Sequence, residues 1–283
     1  MTGLPLFPIG LCALLAVAVQ IVSPEPWLVP IMLCLIAVGG MPHGGLDLLV
    51  ASTRFPLSKA SQRLMFVVTY LALAAIVAAF WSVYPTAALA AFLLYSALHF
   101  GSDWTRKSPL ASLLAGLALL AQPALAATSE TATLFTALGA QGDLIAASLA
   151  WSGAAATPFV VWTLRHDVSG LLILLGLGCL SFALNPLAWF FIYFCGIHGP
   201  RHMRRVALAH DISIRSLSRH WIRPALIAGA LVVSAGLLLI PVAGFEAAAM
   251  QAVFVGFAAL TVPHMVLVDF AAGYLTRLKS PHH

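Results

Sequence analysis

Between one turn marker and the next, most of this chain is apolar for close to twenty residues at a time. About 20 residues of helix cross the ~30 Å hydrocarbon core of a bilayer. In lipid every backbone polar group must be satisfied internally, so apolar segments of that length are helical or not there at all. The chain is 61% hydrophobic and 8% charged, against about 25% charged in soluble domains. These values predict an all-α fold: a polytopic transmembrane helical bundle. The 283 residues accommodate roughly eight to ten spans and no separate soluble domain, so residues 1–283 read as one integral-membrane domain. The apolar run from Leu4 to Val22 has no basic residue before it and no clear small-residue cleavage site after it. It is expected to be a retained span rather than a signal peptide.

The pattern places spans at about 4–22, 27–50, 64–84, 86–104, 109–127, 143–163, 168–184, 186–203, 224–243 and 246–273. Ser23-Pro-Glu-Pro26, Pro85, Asn185-Pro186 and Pro241 mark breaks. The joins at Pro85 and Asn185 are tight, and a kink within a longer element is the competing reading there. The basic residues test this register. Arg54, Lys59 and Arg63 follow the second span, Arg106 and Lys107 the fourth, and Arg165 the sixth. Arg201 to Arg223 surround the end of the eighth, in a basic loop over about 204–223, and Arg277 and Lys279 follow the tenth. All 14 lie on one side, while Glu25, Glu130, Asp143 and Glu246 lie on the other. The positive-inside rule then predicts a multi-pass protein of the cell (inner) membrane with both termini cytoplasmic. The net charge of +5 is a topology signal, and no nucleic-acid partner is expected.

Polar residues inside such segments are costly and mark function. Five histidines stand out: His43 in Met41-Pro-His-Gly-Gly-Leu-Asp47, His99 in Leu98-His-Phe-Gly-Ser-Asp103, His198 and His202 in Gly196-Ile-His-Gly-Pro-Arg-His202, and His264 in Val262-Pro-His-Met-Val-Leu-Val-Asp269. All lie toward the basic ends of even-numbered spans, so they are expected to share one depth, as ligands from different helices must. Neutral imidazole binds metal through either nitrogen. His198 and His202 are four apart and face one way on a helix, although Pro200 between them is expected to distort it. The bland alternative is a pair of polar residues at a helix end.

His43 and Asp47, and His99 and Asp103, repeat the offset of four. A carboxylate taking the far N–H of a metal-bound imidazole would orient it; a structural His–Asp tie between helices is the other reading. His264 and Asp269, five apart with Pro263 beside them, rank lower, as an extra ligand, a supporting donor or a pocket residue. Gly39, Gly40, Gly44 and Gly45 leave space beside His43 for a helix or a ligand. His166, His210 and His220 sit among charged loop residues and His282 and His283 end the chain, so solvated roles are expected. Cys12, Cys34, Cys179 and Cys195 form no Cys-x-x-Cys pair, so neither a disulfide framework nor a thiolate zinc site is indicated.

Taken together and in order, Pro42-His-Gly-Gly-Leu-Asp47, His99-Phe-Gly-Ser-Asp103, Gly196-Ile-His-Gly-Pro-Arg-His202 and Pro263-His264 resemble the motifs of the microbial Brp/Blh-type β-carotene 15,15′-dioxygenases, over about residues 30 to 270. The resemblance implies an integral-membrane non-haem Fe(2+) enzyme that cleaves the central double bond of β-carotene with O2. Two all-trans retinal molecules result, which supply a microbial rhodopsin. By matching motifs it places the iron-binding histidines at His43, His99, His198 and His202, with Asp47, Asp103, His264 and Asp269 as supporting residues or a further ligand. No residue need act as a covalent nucleophile.

Rival readings are a membrane di-iron hydroxylase or desaturase acting on a lipid or carotenoid, a haem cytochrome, and a transporter using His and Asp. One H-x-x-x-H and no H-x-x-H-H argue against two metals. The lysines, Lys59, Lys107 and Lys279, are expected in loops, which argues against a rhodopsin with a mid-membrane Schiff base.

Overall fold

A computed structural model describes residues 6–243 and 245–278; the side chains of residues 25, 26, 43, 235, 236, 238–247, 249 and 271–278 fall outside the description. The described residues form helices and no strand. In order these are α1 (Leu6–Val22), α2 (Glu25–Gly44), α3 (Asp47–Ser52), α4 (Ala60–Val83), α5 (Pro85–Gly101), α6 (Pro109–Leu120), α7 (Gln122–Ala126), α8 (Thr128–Ala137), α9 (Gly142–Leu164), α10 (Val168–Ser181), α11 (Pro186–Tyr193), a π-helical turn (Phe194–His198), α12 (Gly199–Ala209), α13 (Ile214–Ala243) and α14 (Phe245–Leu278). This is the all-α membrane bundle expected from composition.

Four tracts are long and apolar enough to cross a membrane unaided: Trp27–Ser52, Ala60–Val83, Gly142–Leu164 and Met250–Phe270. Most of the other expected spans are shorter or broken, because turn-forming residues interrupt them, while the one at 224–243 lies within the continuous helix α13. Ser108 caps α6 by accepting a hydrogen bond from Ala111 N, and Asn185 caps α11 by accepting one from Leu187 N, each with proline at the next position. Proline there has no amide hydrogen to waste. Both doubtful joins are therefore true breaks: Tyr84 ends α4 and begins α5, and α10 stops at Ser181. Helix α8 was not foreseen, and the basic stretch expected as a loop is mostly helical, in α12 and the first turns of α13. Arginine is a good helix former, and only residues 210–213 turn, with Asp211 at φ 52°.

The short helix α11 lies at the centre. Trp189, Ile192 and Tyr193 are fully buried, as is Ile197 in the turn that follows. A helix apolar on every side belongs inside; it packs against α1, α2 and α10. On the outside, α4 exposes Leu64, Met65, Val68, Ile76 and Val83, a surface suited to lipid and not to water. Helices α5 and α6 meet at their closest through glycine. A Cβ on Gly101 would stand 1.7 Å from Ser112 O, and one on Gly116 would stand 1.7 Å from Ala97 O. That contact fixes the end of α5, where His99 sits.

Candidate metal centre

Three elements far apart in sequence deliver histidines to one buried point. His99 comes from the last turn of α5, His198 from the π turn and His264 from the middle of α14. One nitrogen from each lies within 4.8 Å of the other two, and all three residues are buried. The ring centroids of His99 stand 5.3 Å from His198 and 5.8 Å from His264. His202, from the first turn of α12, is buried as well, with its ring 5.1 Å from that of His264. His198 ends the π turn and His202 follows it in α12. Pro200 has no N–H for the carbonyl four residues back, and a widened turn precedes it. The side chain of His43 lies outside the described residues; its backbone is in α2.

Each of the three imidazoles is braced through Nδ1 by an aspartate. Nδ1 of His99 is 3.1 Å from Asp269 Oδ1, that of His198 is 2.8 Å from Asp103 Oδ2, and that of His264 is 2.6 Å from Asp47 Oδ1. An ionised carboxylate only accepts hydrogen bonds, so Nδ1 carries the proton and donates. That selects the tautomer whose Nε2 lone pair is available to a metal. His99 Nε2 is buried and has no hydrogen-bond partner among the described residues.

The pairing differs from the one the spacing suggested. Asp103, in the turn after α5, serves His198 rather than His99, and Asp269 serves His99 rather than His264. Each carboxylate reaches an imidazole delivered by a different element of the chain, at sequence separations of 95 to 217 residues. His264, ranked below the others from its motif, stands inside the trio. Two supporting residues had gone unnoticed. Tyr70 of α4 donates its hydroxyl to Asp47 Oδ2 at 2.6 Å, and its oxygen lies 2.8 Å from Leu260 O of α14. Arg205 of α12 donates to Asp103 Oδ1, so both oxygens of that carboxylate are engaged. A tyrosine inside an apolar span was a signal for the first. Arg205 was hidden among the other basic residues.

Aromatic rings enclose the cluster. Phe100 meets His198 edge-on at 4.7 Å, and Phe194 lies parallel to it at 5.9 Å. Gly40 of α2 makes room, since a Cβ there would fall 2.4 Å from the Phe194 ring. Two apolar cavities flank the site. One of about 140 Å³ runs from Phe100 and Thr261 to Trp81, Leu89 and Leu138. The other, of about 360 Å³, reaches His264, Asp47 and Tyr70 and extends to Arg223.

The site is thus a buried three-histidine group able to hold a metal ion, set in an all-α membrane bundle and flanked by apolar space. The chain belongs to the beta-carotene 15,15'-dioxygenase family, whose model matches residues 34–271. It is 31% identical over 264 residues to the beta-carotene 15,15'-dioxygenase of the uncultured marine bacterium 66A03, covering 84% of this chain and 92% of that one. No solved structure matches it.

Proposed function

We propose that the protein cleaves the central 15,15′ double bond of β-carotene with O2, giving two molecules of all-trans retinal, with Fe(2+) at the histidine cluster. The observation that carries this reading is a buried, carboxylate-braced imidazole group lying between two apolar cavities, in a chain of this family. The donor set suits the metal: neutral imidazole is a good ligand for iron, and His99 Nε2 is a buried nitrogen otherwise without a use. The proposed ligands are His43, His99, His198 and His202, with His264 as a fifth imidazole within reach. Bound iron supplies the redox chemistry that activates O2.

The protein's own groups do the rest. Asp47, Asp103 and Asp269 hold the imidazole rings in one tautomer and one orientation. Arg205 and Tyr70 in turn hold two of those carboxylates. Phe100 and Phe194 keep water from the cluster, and the cavity walls bind a polyene by burial alone. The reaction consumes one O2 per carotene, and one oxygen atom ends in each aldehyde. The substrate dissolves in the bilayer, so the protein is placed in the cell membrane, basic side and both termini inward, and its product passes to a microbial rhodopsin. A di-iron hydroxylase or a His/Asp transporter is not favoured by the family or by the single histidine cluster among the described residues.

Expression in β-carotene-producing bacteria, beside His198→Ala, tests the proposal. Carotene is expected to fall with two retinals formed per molecule and about one iron per chain, both lost in the variant. A folded, iron-loaded protein that leaves β-carotene intact would overturn it. An Ala variant of each of the five histidines, assayed for bound iron, sorts ligands from neighbours.

A further inference from the structure

The two cavities differ in a way that bears on where a long polyene is cut. Phe194, Phe257 and Thr261 line both, so the two share a wall, beside which the larger one reaches His264. The larger one is walled in part by Val67 and Leu71 of α4 and Ile227 and Leu231 of α13, all exposed on the outer face of the bundle. It opens sideways toward lipid. The smaller one ends on Trp81, Leu89 and Leu138, which are buried in one apolar cluster. Trp81 Nε1 donates to Leu138 O at 3.1 Å, pinning that end in place. One chamber is an entrance and the other has a floor.

The depth of that floor can be read on α5, where Leu89 precedes His99 by ten residues. Ten residues of helix rise about 15 Å. A C40 carotenoid with a ring at each end is a rod about as long as the ~30 Å hydrocarbon core, so its central bond lies about 15 Å from either end. The two lengths agree.

Resting on the proposed carotenoid cleavage, we infer that the smaller chamber is a ruler that selects the central bond. One ring-bearing end enters between α4 and α13, passes the histidines and stops on Trp81, Leu89 and Leu138. The bond half a molecule behind it then lies at the cluster, while the trailing half stays in the open chamber, which measures nothing. Trp81, Leu89 and Leu138 thereby determine regiospecificity through the substrate's position, remote from the reacting atoms.

The test is product length from β-carotene with wild type, Leu89→Ala and Leu138→Ala, each checked for wild-type iron content. Wild type is expected to give two twenty-carbon aldehydes. A deepened floor lets the rod advance by one conjugated repeat. Part of the product then shifts to an eighteen-carbon ketone and a twenty-two-carbon aldehyde, still with one oxygen atom of O2 in each. Cleavage to twenty-carbon products alone in both iron-loaded variants would overturn the ruler and leave the dioxygenase reading intact. Loss of cleavage in both without any unequal product would overturn it as well. If wild type itself leaves β-carotene uncut, the dioxygenase reading falls and the ruler with it.

Discussion

Asp103 is the residue on which the bracing of the cluster most depends. Its side chain is 1% exposed and receives His198 on one oxygen and Arg205 on the other. Replacing it with asparagine keeps the size but removes the charge and lets an NH2 group face an imidazole N–H. The His198 ring then loses its tautomer and its fixed angle. Partners of this kind typically change metal affinity or activity 10–100-fold, so Asp103→Asn is expected to lower bound iron and retinal output by about that factor. Arg205→Gln is expected to cost less, because the arginine side chain is 38% exposed and its loss leaves Asp103 still paired with His198. Titrating iron into the purified variants checks the order; equal loss in both would show that the two residues act only as one ion pair. At this scale the sequence was informative about which residues matter and silent about who meets whom. His99, His198, His202 and the three aspartates could be found because a polar side chain in an apolar span is conspicuous. Their pairing depends on the neighbouring helix, which no spacing within one helix reveals.

The elements hold the cluster through a few close contacts, and the α5–α6 seam is the tightest. Gly116→Ala would put a methyl group 1.7 Å from the Ala97 carbonyl oxygen, where only backbone can give way. Overpacking of that kind costs about 1–3 kcal/mol or more, and here it pushes α5 away from α6 together with His99 and Asp103. The variant is expected to unfold at lower temperature and to bind less iron. Gly176→Ala on α10 is the control, since nothing lies within 4 Å of its added Cβ; it is expected to be neutral or slightly stabilising, given alanine's better helix propensity. Similar melting temperatures for the two variants would refute the seam's role. Long apolar tracts such as Ala60–Val83 and Gly142–Leu164 were legible from composition because burial in lipid needs nothing more specific. The π turn was only half legible. Pro200 announced a distortion, but whether a helix kinks, breaks or widens is decided by what packs around it, here the buried wall of α1 and α2. Helix α8 carries Glu130 and too few apolar residues to stand out, and its place is set by packing on α9.

Across the whole molecule the histidine cluster ties together parts of the chain that are remote in sequence. His264 and Asp47 are 217 positions apart, His99 and Asp269 are 170 apart, and His198 and Asp103 are 95 apart. A metal held by these imidazoles is therefore also a cross-link among α5, the π turn and α14, with α3 and the segment after α5 attached through their aspartates. Such a ligand binds the folded arrangement and has no preformed site in a chain whose helices have separated. It stabilises the fold by about 2.7 kcal/mol when its free concentration is a hundred times its Kd. Iron-loaded protein in detergent is accordingly expected to melt at a higher temperature than the same protein stripped with a chelator, and the difference should grow with added Fe(2+). Asp103→Asn should narrow that difference, because weaker binding contributes less, while leaving the metal-free melting temperature comparatively little changed. Gly116→Ala should do the reverse, lowering the metal-free value first. Identical melting curves with and without iron would mean that the convergence of α5, the π turn and α14 stands without the metal, and that the imidazoles are held in place by their aspartates alone.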